Sequence, residues 1–268
     1  MVVPQNCAAE AMLVPDVSVL GVRSLRQLIA VLTDGEVPEE EPPDRPGPPG
    51  PGPAGLLVPG AGLGTGISPG RAGAGGEGDF PDLCDVAGQQ AARRALEVAA
   101  TVAATGGHHL FLSGPPGAGK TMLAERIPWI LPPLTRQASL EVTAVHSVAG
   151  ILPPGDPLVT RPPYCAPHHS ATMQSLVGGG AGVPRPGAVS LAHRGVLFLD
   201  EAAEFSSKAL DALRQPLESG RVVIARAAGV VQLPARFLMV LAANPCPCGR
   251  HTVHGGGCEC PPSCLLYT

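Results

Sequence analysis

Eight consecutive residues, Gly114-Pro115-Pro116-Gly117-Ala118-Gly119-Lys120-Thr121, carry the strongest chemical signal in this chain. Glycines at this density let successive backbone N–H groups turn toward one point, and a helix starting at the loop's end adds its positive N-terminus, which suits a phosphate. Lys120 would reach the β and γ phosphates of a nucleotide and Thr121 would set its hydroxyl on Mg²⁺, so ATP with Mg²⁺ is the expected ligand pair. The alternative is a chance Gly-rich turn, and the flanking sequence argues against it. His109 to Ser113 reads as a short buried strand before the loop, and Lys120 to Ile127 reads as a helix ending at Pro128.

Two further segments end in polar groups that suit the same chemistry. Gly195-Val196-Leu197-Phe198-Leu199-Asp200-Glu201 is an apolar strand followed by two carboxylates. Asp200 would hold the Mg²⁺ shell and Glu201 would polarise an attacking water, unless the pair is only an acidic helix N-terminus. Phe237 to Ala243 is a third apolar strand and delivers Asn244 to the same sheet edge, where parallel α/β sheets place ligands. Asn244 would orient the water near the γ-phosphate; the plainer alternative is an Asn-Pro turn with Pro245.

The end of the chain poses a separate question. Cys246 and Cys248 precede Cys258 and Cys260 by nine intervening residues, with Cys264, His251 and His254 nearby and a Gly255-Gly256-Gly257 run between. Two close pairs of thiolates can build a tetrahedral Zn²⁺ site, although one intervening residue within each pair is tighter than the usual two; a loop of free thiols is the alternative. His168-His169 is a weaker metal candidate, since neighbouring histidines in regular structure point apart. Arg185, Arg194, Arg221, Arg226 and Arg236 would either meet a polyanion or simply be solvated.

These residues need a frame to position them. The 268 residues, 44% hydrophobic, are enough for a large domain with a buried core, and the formal charge of −4 with pI near 6.0 provides no global basic field for nucleic acid. Met1 to Val14 lacks a basic leader, no apolar run approaches the ~20 residues of a bilayer span, and the eight cysteines fit a reducing, cytoplasmic compartment. Residues 1–35 hold short apolar pieces and a helix from Leu25 to Leu32 capped by Ser24. Residues 36–78 are dominated by Pro and Gly and read as a flexible, disordered linker. From 79 to 245 strands alternate with helices, which implies a parallel sheet covered on both faces. Gln89 to Thr105 reads as a helix and Leu140 to Val145 as another strand. Pro184–Gly195 and Arg221–Leu233 read as hairpins, and 246–268 as a Cys-rich tail.

With these elements in place the chain resembles the YifB/ComM family of magnesium-chelatase-like AAA+ ATPases. The resemblance rests on Asp85-Val86-Ala87-Gly88-Gln89, Ala166-Pro167-His168-His169-Ser170, Leu176 to Gly180, Leu197 to Phe205, Ala209 to Gly220 and Ala243 to Gly249, and covers most of residues 80 to 250. Residues 1–33 resemble the end of the Lon-protease-like domain that precedes the ATPase in this family. The resemblance implies an α/β P-loop NTPase of three layers around a parallel sheet, with β-hairpin insertions. It also implies a homo-hexamer in which ATP drives movement on DNA, as in a ComM-type branch-migration helicase. Cys165 stands where the family pattern has Arg, and the family's arginine finger, last core strand and lid have no counterpart before Thr268. The resemblance therefore leads us to expect an incomplete core that binds ATP and hydrolyses it weakly. A catalytically silent nucleotide-binding module, or a chelatase motor subunit acting on a tetrapyrrole partner, are the alternatives.

Overall fold

Apolar strands that alternate with helices must bury both faces of their sheet, and the chain does this around one central strand. The structure is a computed structural model that describes residues 1–33, 67–68, 81–103, 108–152, 158–180, 184–226, 229–246, 248 and 257–261. Two compact units are present, Met1–Ala61 and Gly62–Thr268. In the first, β1 (Val2–Pro4) pairs parallel to β2 (Leu20–Val22), with the single turn α1 (Ala8–Ala11) between them and α2 (Leu25–Leu32) after them. Ser24 caps α2 as expected: its Oγ accepts from Gln27 N–H at 3.1 Å, and Gln27 Oε1 accepts from Arg23 N–H at 2.7 Å. Leu25, Ile29 and Leu32 form an exposed apolar stripe on this helix.

The second unit is built on a sheet in the order β3 (Ile67–Ser68), β5 (Tyr164–Cys165), β8 (Val196–Leu199), β11 (Leu238–Ala243), β4 (Leu110–Ser113). The last four are parallel, while β3 runs antiparallel along β5. β3 falls within the segment expected to be a linker; the rest of 36–78 lies outside the described residues. Every side chain of β8 is buried. Val196 and Phe198 join Leu96 of α3 (Gln90–Ala103) and Leu123 and Ile127 of α4 (Lys120–Ile130). Leu197 and Leu199 face the other way, toward Val145 of α5 (Arg136–Ala149), Leu176 of α6 (Met173–Val177) and Val189 of α7 (Ala188–Leu191). The period of two along one strand thus feeds two cores, and each buried Leu or Phe contributes about 1.5–3 kcal/mol.

Three expectations are corrected. Leu140 to Val145 lies inside α5, not in a strand. Thr135 caps the start, accepting from Ala138 N–H at 3.3 Å, and Gly150 closes the end in the left-handed region (φ 72). Ala138, Val142 and Val145 are buried at helical spacing, so the β-branched composition was the misleading signal. Second, Pro184–Gly195 is not a hairpin. β7 (Arg185–Pro186) pairs with β6 (Gly178–Gly179), and α7 then forms a wholly buried turn. A Cβ on Gly187 would sit 2.4 Å from Gly178 N, and that close approach bends the chain away from a second strand. Third, α4 continues past Pro128 to Ile130, closing through Leu131 N–H to Ile127 O at 3.1 Å. The hairpin from Arg221 onward is present. After α8 (Ser207–Asp211) and α9 (Arg214–Ser219), β9 (Arg221–Arg226) pairs antiparallel with β10 (Gly229–Pro234), with Arg226 opposite Gly229.

Candidate functional site

The loop from Gly114 to Thr121 leaves the end of β4 and winds directly into α4. Gly114 N–H donates to Ala243 O at 3.3 Å, so the loop begins locked to the neighbouring β11. Ala118 N–H donates back to Pro115 O at 3.2 Å, and Gly117 and Gly119 take φ values of 77 and 78, a conformation that costs a residue with a Cβ. A Cβ on Gly117 would meet nothing within 4 Å, so that glycine serves backbone conformation and leaves its surroundings open. Gln89, at the start of α3, donates from Nε2 to Ala118 O and props the loop from outside.

Lys120 Nζ donates to Gly114 O at 2.8 Å, Pro115 O at 3.1 Å and Asn244 Oδ1 at 3.0 Å. Thr121 Oγ1 donates to Asp200 Oδ2 at 2.7 Å, and Asp200 Oδ1 accepts from Glu201 N–H at 2.9 Å. A cavity of about 460 Å³ opens between these groups, lined by Pro116 to Met122, Asp200, Glu201, Ala243 and Asn244. The volume is that of a small-molecule site. The donor set fits a phosphate chain and a hard divalent cation: loop amides and an ammonium on one side, a hydroxyl and a carboxylate oxygen 2.7 Å apart on the other.

One contact was not expected. His169 Nδ1 lies 2.9 Å from Glu201 Oε2, while Glu201 itself sits at φ 51, in the left-handed region. A non-glycine residue there is uncommon and concentrates at functional sites. The rings of His168 and His169 lie 3.9 Å apart by centroid, tilted by 37°, so the two do not point apart as regular structure would require. They stand in an irregular segment after β5, where strand alternation does not apply. The signal available in the sequence was their position just beyond an apolar segment that could become a strand beside β8.

A second cavity of about 800 Å³ gathers Arg194, Arg221 and Arg236 with Glu141 and His193. Arg194 Nη2 and His193 Nε2 both reach Glu141 Oε2, at 3.0 and 3.2 Å. Burial pushes Glu141 up, but the His193 and Arg194 hydrogen bonds outweigh it and hold the carboxyl below its ordinary value. Arg185 stands apart on β7, and the Arg226 side chain lies outside the described residues. Near the end of the chain, the Sγ atoms of Cys246, Cys248, Cys258 and Cys260 lie within 4.8 Å of one another. Cys264, His251 and His254 lie outside the described residues. No helix among the described residues is long and apolar enough to cross a membrane.

Residues 82–267 match the family model of magnesium chelatase, subunit ChlI. Over 167 residues the chain is 64% identical to an uncharacterised protein of Mycobacterium tuberculosis, covering 62% of this chain and 32% of that protein. It is 52% identical over 171 residues to the competence protein ComM of Haemophilus influenzae, covering 64% of this chain and 32% of that one. It is 47% identical over 186 residues to the uncharacterised protein YifB of Escherichia coli, covering 69% and 35% respectively. The chain spans about a third of the length of these relatives.

Proposed function

The chain belongs to the family of the magnesium chelatase subunit ChlI, whose members are AAA+ ATPases, and we propose that it is a Mg²⁺-dependent ATP-binding module of a motor that works on DNA. One observation carries the ATP part. Lys120 and Asn244, 124 residues apart, and Thr121 and Asp200, 79 apart, meet in hydrogen-bond contact at the mouth of a single cavity. Convergence from three parallel strand ends is the arrangement that a nucleotide triphosphate requires.

The division of labour follows from the chemistry of each group. The backbone N–H groups from Gly117 to Lys120 and the start of α4 cradle phosphate oxygens, and Lys120 places its ammonium against the β and γ groups. Thr121 Oγ1 and the Asp200 carboxylate, 2.7 Å apart, would hold a magnesium ion. A bound Mg²⁺ would supply positive charge to offset that of the phosphates. Glu201 takes the role of orienting and deprotonating the attacking water, and Asn244 that of reporting on the γ position. Among the described residues lining the cavity, Lys120 is the sole cation. An arginine supplied in trans is worth ~10³ to 10⁵ in rate, so this chain assayed by itself binds ATP and turns it over slowly.

DNA as the polymer, and a hexamer as the assembly, rest on the family resemblance. The arginines at the second cavity are the positions where a phosphodiester backbone would be met. A reducing cytoplasmic setting agrees with a chain that keeps its thiols.

Binding of a fluorescent ATP analogue with and without Mg²⁺ tests the reading. Lys120→Ala is expected to lose at least tenfold in affinity while its circular dichroism is unchanged. Equal affinity in a folded Lys120→Ala protein would sink the site assignment. If wild type and Glu201→Gln bind ATP yet show the same baseline hydrolysis, the chain is a silent nucleotide-binding module.

A further inference from the structure

The tail presents a problem of packing. Residues 257–261 read Gly-Cys-Glu-Cys-Pro and contain no large apolar side chain, so hydrophobic burial cannot hold them in place. Yet Cys258 Sγ lies 3.7 Å from Cys246 Sγ and 3.6 Å from Cys248 Sγ, while Cys246 and Cys248 are 3.3 Å apart. Cys260 completes a group of four within 4.8 Å. Cys246 is buried at 2% exposure, immediately after β11 and Pro245.

The distances discriminate between the available chemistries. A disulfide needs about 2.05 Å between sulfurs, and every separation here is well beyond that. Four thiolates around one tetrahedral zinc, each about 2.3 Å from the metal, stand about 3.8 Å from one another. The two edges to Cys258 match that figure within about 0.2 Å, the Cys246–Cys248 edge is about half an ångström shorter, and all four sulfurs lie within 4.8 Å of one another. Such edges enclose a single ion and leave no space for bridging sulfides, which separates the group from an iron–sulfur cluster. The tight Cys-x-Cys spacing is compatible with this geometry, because each pair contributes one edge of the tetrahedron and the nine residues between the pairs provide the return.

We propose that Cys246, Cys248, Cys258 and Cys260 form a structural tetrathiolate Zn²⁺ site that fastens residues 257–261 to the end of β11. Binding takes up one Zn²⁺ and releases the four thiol protons, leaving a closed site with no open position for chemistry. Its place gives it a consequence. The clamp closes two residues beyond Asn244, so it holds the strand end that presents Asn244 to Lys120. Because binding joins residues 12 apart through the metal, its stabilisation is felt as folding free energy of this segment.

Metal analysis of the full chain, purified under reducing conditions, tests the site. One zinc per chain is expected, with cobalt exchange giving the sulfur-to-metal charge-transfer band and intense visible bands of tetrahedral thiolate coordination. The double variant Cys258→Ser, Cys260→Ser removes two ligands without disturbing buried Cys246, and is expected to reduce zinc to background while the circular dichroism of the ATPase core persists. A folded chain holding less than a tenth of a zinc per molecule, even after zinc reconstitution, overturns the proposal. So does one iron per chain in place of zinc, or an intact mass four hydrogens low, which would mean two disulfides. The zinc measurement stands whether or not the chain binds ATP.

Discussion

Glu201 is the residue whose surroundings say most about how the site would be controlled. Its backbone is held at φ 51, its N–H donates to Asp200, and its carboxylate oxygen meets His169 Nδ1 at 2.9 Å. A carboxylate that must orient a water gains from a fixed partner, because a small error in placement costs rate more than affinity. On the role proposed for Glu201, His169 would be a positioning residue, acting through Glu201. Its contact is exposed enough that a single hydrogen bond, about 1 kcal/mol net, sets the scale of its effect. His169→Ala is expected to slow single-turnover ATP hydrolysis about fivefold while nucleotide affinity stays within about twofold. A loss confined to affinity would instead make His169 a structural support for the loop.

At the scale of elements, α5 and α7 are joined by a buried histidine. His146 Nε2 donates to Leu191 O at 3.0 Å, which assigns the proton to that nitrogen, and Nδ1 has no partner among the described residues. Burial pushes the His146 pKa down from 6.5, only partly opposed by the Leu191 contact. Burial lowers His193 too, against the raising effect of Glu141. His109, beside β4, is lowered by its burial and by His108. The folded state thus holds these rings neutral while the unfolded chain protonates them near pH 6.5. The unfolded state binds more protons below that pH, so the stability they contribute is present above it and is lost as pH falls toward the folded values. The urea midpoint is expected to drop between pH 7.5 and 5.5, a window above the range in which the lowered carboxyls of Asp82 and Glu141 titrate. His146→Gln retains a donor for Leu191 O and removes the titration, so it should shrink that drop; an unchanged pH slope would remove His146 from the account.

For the second unit as a whole, the sheet order leaves β4 with a described strand on one side only. Phe111 on this strand is 53% exposed, so an apolar side chain borders the side of β4 that pairs with no described strand. The chain by itself is expected to associate as its concentration rises, and Phe111→Lys to reduce that association in light scattering. Equal behaviour of the two proteins would mean that the edge is covered. Much of this architecture was legible beforehand. β4, β8 and β11 are short apolar runs bounded by polar or glycine residues, and the Gly117 and Gly119 conformations follow from the loop's own composition, because a local backbone preference needs no distant partner. The places that misled were those where composition and environment disagree: α5 carries β-branched residues on a helix closed by Thr135 and Gly150, and α7 turns where Gly187 packs against Gly178. Residue types and their spacing therefore singled out the candidates for phosphate, magnesium and zinc. Only the tertiary structure decided that Thr121 meets Asp200, that Lys120 meets Asn244, that His169 reaches Glu201, and that four sulfurs share one point. Those contacts depend on the order β5-β8-β11-β4, and strand order is set by packing both faces of β8 at once, a long-range requirement that no local pattern of residues encodes.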